Sequence, residues 1–310
     1  LSILSARDAA PPAIDARRAG AGILFAFLAP ALAVYAAFTL YPVVRTFYNA
    51  FHTIGPRNVV EFVGLANFSS LLFADPVFWK AVTNTALFTV VATAVDVVGG
   101  LLLALALFAR APLAPVLRVV WFTPVLMSYV VVGILWVWIF DYDWGLANAT
   151  LRFIGLGGWE QSWLGQPSTA LWSVLAAHEW KWLGFNMIVF LAALHALPSE
   201  VLGAAELDNC GWFAKLIYVI APMLRATIVN LTVLSFIGKM MVFDLIWVMT
   251  GGGPLWSTET VSTYVYKRAF EWNTFDLGYP SAIAVLWFAI ILAFVVLMTR
   301  LFRSRDRLEF

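Results

Sequence analysis

Eight polar residues interrupt long apolar runs in this chain: Asp96, His178, Glu179, Lys181, Asn186, Asn230, Lys239 and Asp244. At bilayer depth an ionisable side chain costs at least about 2.5–3.5 kcal/mol, so it ordinarily faces a partner, the interface or a water-filled passage. Glu179 and Lys181 are two apart and point to different faces of a helix. Lys239 and Asp244 are five apart, roughly one and a half turns, which again sends each to a partner elsewhere. A cross-helix pair of Glu179 with Lys239 is one such arrangement. Bond-making chemistry has no foothold: His52, His178 and His195 fall in separate segments, and no nucleophile with a convergent base or metal-ligand cluster is visible. The single cysteine, Cys210, excludes an intrachain disulfide and a cysteine-rich metal site.

Two uses remain open for the polar residues. One is structural pairing, or snorkelling toward the membrane surface. The other is a translocation path lined by polar and aromatic groups. Trp180, Asn186, Lys239, Phe243, Asp244 and Trp247 supply both kinds of group. Trp180 and Asn186 need not share a helix face, so these residues define a region rather than a site.

The elements that would carry them are membrane spans. The chain has 310 residues, 62% hydrophobic and 12% charged, with a mean hydropathy of +0.87; a soluble domain has about 45–50% apolar and about 25% charged residues. A net charge of +1 without a basic stripe gives no sign of nucleic acid binding. A span needs about 20 apolar residues. Six such runs are expected: Gly20 to Leu40, Val82 to Phe108, Val119 to Phe140, Leu171 to Leu194, Leu224 to Met249 and Ser281 to Leu301.

Orientation follows from Lys and Arg near the span ends. Arg7, Arg17, Arg18, Arg110, Arg118, Lys215, Arg225, Arg300, Arg303, Arg305 and Arg307 fall on one side. The other side has Arg57, Lys80, Arg152, Lys267 and Arg268, with Arg45 near the end of the first span. Both termini are therefore expected in the cytoplasm, as tails 1–19 and 303–310 flanking a membrane domain 20–302. The first tail lacks the small-residue cleavage site of a signal peptide. Outer loops are expected at Tyr41 to Ala81, Asp141 to Ala170 and Thr250 to Pro280, with Tyr41, Tyr142, Trp144, Trp159, Trp163, Trp256 and Trp272 in or beside them, chiefly as interfacial anchors.

Between the fourth and fifth spans lies LPSEVLGAAELDNCGWFAKLIYVIAP, Leu197 to Pro222, a polar-edged stretch on the cytoplasmic side. Pro198 and Glu200 suit the first turn of a helix. Asn209, Cys210 and Gly211 turn the chain, and a second short helix, Trp212 to Ile220, leads into the fifth span. The small residues Gly203, Ala204 and Ala205 permit close approach of another surface; a plain interfacial linker is the alternative. GGGP, Gly251 to Pro254, reads either as a tight turn leaving the fifth span or as a docking loop.

At this stretch the sequence resembles the inner-membrane permease subunits of binding-protein-dependent ABC importers, in the branch carrying sugars and glycerol 3-phosphate. The family's cytoplasmic signature has Pro, Glu, an E-A-A triplet and D-G-A, then a hydrophobic stretch ending in Pro. Here these are Pro198, Glu200, Gly203-Ala204-Ala205, Asp208-Asn209-Cys210 and Pro222. Gly203 stands for a glutamate, and Asn209-Cys210 for Gly-Ala. FVGLANF at Phe62 to Phe68, DPVFW at Asp75 to Trp79, FDLIWVMTGGGPLWSTET at Phe243 to Thr260 and the stretch from Tyr264 to Val285 extend the resemblance over roughly Ala21 to Leu301.

The resemblance implies an all-α permease whose loop 197–222 contains a coupling helix, with Glu200, Gly203, Ala204, Ala205, Asp208 and Gly211 facing an ATPase subunit. It also implies a second homologous permease, two ATP-binding subunits that hold ATP and Mg, a solute-binding protein near Gly251, Gly252, Gly253 and Pro254, and alternating access. No Walker-type phosphate loop occurs, so no nucleotide or metal cofactor is expected in this chain. The rival reading is an ion-gradient-driven secondary transporter with Asp96, Glu179 and Asp244 as ion sites.

Overall fold

The computed structural model describes residues 16–55, 59–108, 113–272 and 276–303. The expectations placed on Arg7, Arg57, Arg110, Arg305 and Arg307 lie outside the described residues. Among those described, the regular structure is helical apart from one antiparallel hairpin, His52–Ile54 with Val60–Phe62, in the first loop. Among the described residues, three helices are long and apolar enough to cross a bilayer: Phe25–Ala50, Pro76–Phe108 and Gly278–Arg300. Up to six spans result if three sharply bent helix pairs each count as one.

The bends are the main departure from expectation. The third span, expected as one helix from Val119 to Phe140, is Ala114–Phe122, a 3-10 turn Thr123–Leu126 and then Tyr129–Ile139, turned through 106°. Pro124 lacks the N–H an uninterrupted helix would use. Ser128, extended at φ −68°, ψ 153°, restarts the helix by accepting the Val131 N–H on its hydroxyl.

The fifth span is likewise divided, into Arg225–Met240 and Asp244–Thr250, with Met241 to Phe243 between them. Trp212–Met223 leads into it at 74°. The first span runs past Leu40 to Ala50 through a π-helical turn, Ala36–Leu40. Its most apolar stretch has no residue buried within the chain, while Tyr41–Ala50 packs on the final helix.

The second span, Pro76–Phe108, and the fourth, Ala170–His195, form the central pair. Glycines bring them together: a Cβ at Gly100 would lie 2.6 Å from the Cβ of Asn186. Two apolar clusters stack along this pair. One gathers Phe88, Ala92, Val174, Ala177, Leu245 and Ile246; the other Ala104, Leu105, Phe190, Leu194, Leu224 and Leu231. Between them, on the same helices, lies a layer of buried polar residues.

Candidate functional site

That polar layer draws on the second, fourth and fifth spans. Asp96, fully buried, forms an ion pair with Lys239 and accepts the Ser235 hydroxyl at 3.1 Å on the same oxygen. His178 Nδ1 lies 3.1 Å from Glu179 Oε1. The Asp96 and Glu179 carboxyls lie within hydrogen-bonding reach of each other, and Asn186 Oδ1 is buried without a donor among the described residues. A cavity of about 320 Å³ opens beside them, its wall including Asp96, Tyr129, Trp182, Asn186, Ser235 and Lys239. Polar side chains of Asn186, Ser235 and Lys239 beside the Tyr129 and Trp182 rings suit a ligand that is rich in hydroxyls and has an apolar face.

Only part of the expected region converges here. Asn186 and Lys239 line the cavity. Trp180 packs on the apolar cluster around Phe88 and Leu245, edge-on to Trp136 at 5.8 Å. Phe243 and Trp247 stack at 5.4 Å and share Tyr266 as a neighbour. Asp244 is exposed in the first turn after the break. The helix break separates these residues from Lys239. The cross-helix partner of Lys239 is Asp96, not Glu179. Tyr129, Trp182 and Ser235 were not legible as site residues; Pro124 within an apolar run was the available sign that the third span would bend toward the cavity.

The stretch after the fourth span forms the short helix Ser199–Leu207, set at 81° to Ala170–His195. Leu202 and Ala205, three apart, turn toward the chain, Leu202 against the apolar cluster around Phe190 and Leu224 and Ala205 buried. Ala205 is therefore on the inward face, whereas Glu200, Ala204, Asp208 and Gly211 are exposed. A Cβ at Gly203 would meet open space. The helix ends in a left-handed turn at Asn209, φ 51°. There the Cys210 N–H donates to the Ala205 carbonyl and the Asn209 N–H to that of Glu206. Asparagine is the commonest substitute for glycine at this position of a helix C-terminus, which explains why the turn survives the departure from D-G-A. Lys215 reaches back to Glu206 at 2.6 Å and holds that exposed carboxyl below its ordinary pKa.

On the opposite loop, Gly251 (φ 58°) and Gly252 (φ 87°) form a left-handed turn. A Cβ on Gly252 would strike the buried Glu259–Lys267 ion pair, itself 2.5 Å long. Asn84 of the second span donates to the carbonyls of Trp256 and Glu259 at 2.8 and 2.9 Å, and Thr258 to that of Gly253 at 2.7 Å. The glycines thus serve a tightly bound turn. What protrudes is Leu255, 83% exposed, with Trp256 beside it.

A bent-helix membrane protein with a buried polar layer and a short helix set off from its spans is the class that these features define. Residues 96–308 match the family described as the inner membrane component of binding-protein-dependent transport systems, and the chain belongs to that family. It is an ABC transporter permease of the carbohydrate-uptake branch, an inner-membrane subunit that is not itself catalytic. In this family the partner ATPases bind the ATP.

It is 33% identical to the probable ABC transporter permease protein YurN of Bacillus subtilis (strain 168), over 91% of this chain and 96% of that protein. The lactose transport system permease protein LacF of Rhizobium radiobacter is 32% identical, over 91% and 93%. The trehalose/maltose transport system permease protein MalF of Thermococcus litoralis is 31% identical, over 91% and 94%. In fold, the chain is similar to a bacterial alginate ABC transporter solved in complex with alginate pentasaccharide-bound periplasmic protein. The TM-score is 0.79 at 22% identity, covering 94% of this chain and 96% of that one. Family membership displaces the ion-gradient rival, and Asp96, one of its ion sites, is already paired with Lys239.

Proposed function

We propose that this chain is the path-forming subunit of an ATP-driven importer of a carbohydrate or a related polyol or sugar phosphate. The observation that carries the reading is the cavity between spans, whose wall joins Asn186, Ser235 and Lys239 to the Tyr129 and Trp182 rings. Relatives described as lactose and trehalose/maltose permeases support the solute class. A second, homologous permease completes the path. A solute-binding protein delivers at the outer face, near Gly251 to Pro254 and the protruding Leu255.

In this reading six spans run between cytoplasmic tails, 1–19 and 303–310, and helix Ser199–Leu207 couples the membrane domain 20–302 to one of two ATPase subunits. Glu200 and Asp208 pair with basic or amide donors there, Ala204 and Gly203 allow close approach, and Gly211 borders the contact. Leu202 and Ala205 fasten the helix to the spans, so motion of the ATPase is transmitted inward. Lys239 acts chiefly as the counter-charge of Asp96, so its charge does not by itself select an anionic solute.

The test is Glu200→Ala and Asp208→Ala in the reconstituted importer. Both should leave membrane insertion intact and uncouple ATP hydrolysis from uptake; unchanged transport in both removes the coupling assignment. With Cys210→Ser removing the native thiol, a thiol at Leu255→Cys should label from outside and one at Leu207→Cys from the cytoplasm, and the reverse pattern overturns the orientation. Binding of a sugar panel by the partner solute-binding protein identifies the solute.

A further inference from the structure

The ammonium of Lys181 sits in the break of the third span. It donates to the carbonyls of Met127 at 2.5 Å, Val125 at 3.0 Å and Pro124 at 3.3 Å. The Val125 and Met127 carbonyls lost their helical donors where the chain turns through 106°, whereas the Pro124 carbonyl also accepts the Met127 N–H at 3.2 Å. The same Nζ lies 5.1 Å from the centre of the Tyr129 ring and 5.5 Å from that of Trp182. Trp182 in turn donates its indole N–H to the Tyr129 hydroxyl at 2.6 Å. Gly184, one turn along the same helix, makes room, because a Cβ there would overlap the Trp121 carbonyl.

We propose that Lys181 is a positioning residue of the translocation path, holding the third span broken so that Tyr129, paired with Trp182, forms the aromatic wall of the cavity. The inference rests on reading that cavity as part of the path. An ammonium has three donors, matching three carbonyls that converge from one side. Without it the Val125 and Met127 carbonyls lie unpaired at membrane depth, where the chain satisfies itself by closing back into helix. Each residue drawn into a continuous helix turns by about 100°, which carries Tyr129 away from Trp182. Lys181 touches no solute; it acts through the backbone of residues 124–127.

The test uses the complete importer in proteoliposomes, with Cys210→Ser removing the native thiol and Ser235→Cys placing one in the cavity wall. Modification by methyl methanethiosulfonate is timed. Lys181→Met should raise the rate about tenfold, the size expected for losing a buried charge-assisted hydrogen bond. Tyr129→Phe should raise it less. The double variant should react no faster than Lys181→Met alone, because both changes open the same wall. A Lys181→Met rate equal to the parent's, or additive effects in the double variant, overturns the proposal. Should Lys181→Met fail to assemble, Lys181→Gln carries the same cycle with the same criteria. Parent labelling that ignores ATP and vanadate removes the path reading instead, while the cycle still judges Lys181.

Discussion

Lys239 on the fifth span and Asp96 on the second, 143 residues apart in sequence, meet in a buried ion pair at the centre of the helix bundle. The pair closes a polar layer that would otherwise split the two apolar clusters, and Ser235, one turn before Lys239, takes part on the same carboxylate oxygen. Lys239 lies in the last turn before the fifth span breaks, so the pair also fixes where that break sits relative to the second span.

Removing one partner leaves the other charge buried alone, which costs about 3–5 kcal/mol. Asp96→Ala should therefore lower the melting temperature of the purified complex sharply, whereas Asp96→Ala with Lys239→Met should recover most of the loss. Additive losses in the double variant would show that the two residues act separately.

Gly184 and Gly203 should respond in opposite ways to alanine. At Gly184 a Cβ meets the Trp121 backbone, so Gly184→Ala forces apart the third and fourth spans and should cut the yield of folded protein severalfold. At Gly203 the space is open, so Gly203→Ala should be neutral or gain up to about 1 kcal/mol from helix propensity. Gly203→Glu, which restores the family's glutamate, should also fold normally. Equal damage at both glycines would contradict this packing.

Gly252 and Gly253 make a similar contrast in the turn that follows helix Asp244–Thr250. Gly252→Ala combines a left-handed backbone with a clash against Glu259 and Lys267, and should cost about 1–3 kcal/mol or more. Gly253→Ala meets only the Thr250 carbonyl at 3.4 Å and should be mild. Thermal melting of the two variants side by side decides it.

Asp75, just ahead of the second span, accepts hydrogen bonds from Tyr264 and Tyr279 at 2.5 Å each and from the Phe78 N–H at 2.9 Å, with Arg268 at 3.3 Å. Burial pushes its carboxyl up, but these donors and the guanidinium together outweigh burial and hold it below the ordinary value of 3.8. The ionised form is favoured by folding. Its contribution is complete above the ordinary aspartate range and is lost as pH falls through the depressed folded value. Asp75→Asn should lower the melting temperature at neutral pH and flatten the loss of stability below about pH 4; an unchanged acid limb would remove Asp75 from that role.

Much of the architecture was readable from composition and runs. The fourth and sixth spans fall within a few residues of expectation, because a run of apolar side chains long enough to cross a bilayer has one stable conformation there. The third and fifth spans look like single helices in the sequence because hydropathy does not register a bend. Pro124 marked one break, whereas Met241 to Phe243 carry no comparable signal.

The sequence alone determined a helical membrane permease with a polar-edged helix between its fourth and fifth spans, since both follow from local composition and a motif along the chain. Tertiary structure decided which polar residues meet. Lys239 chose Asp96 over Glu179, Lys181 turned to the carbonyls of a broken helix, Ala205 faced inward, and Trp180 and Trp247 left the cavity to Tyr129 and Trp182. Spacing along one helix says only which face a side chain occupies; which span lies against that face is set by where glycines such as Gly100 and Gly184 let two backbones approach.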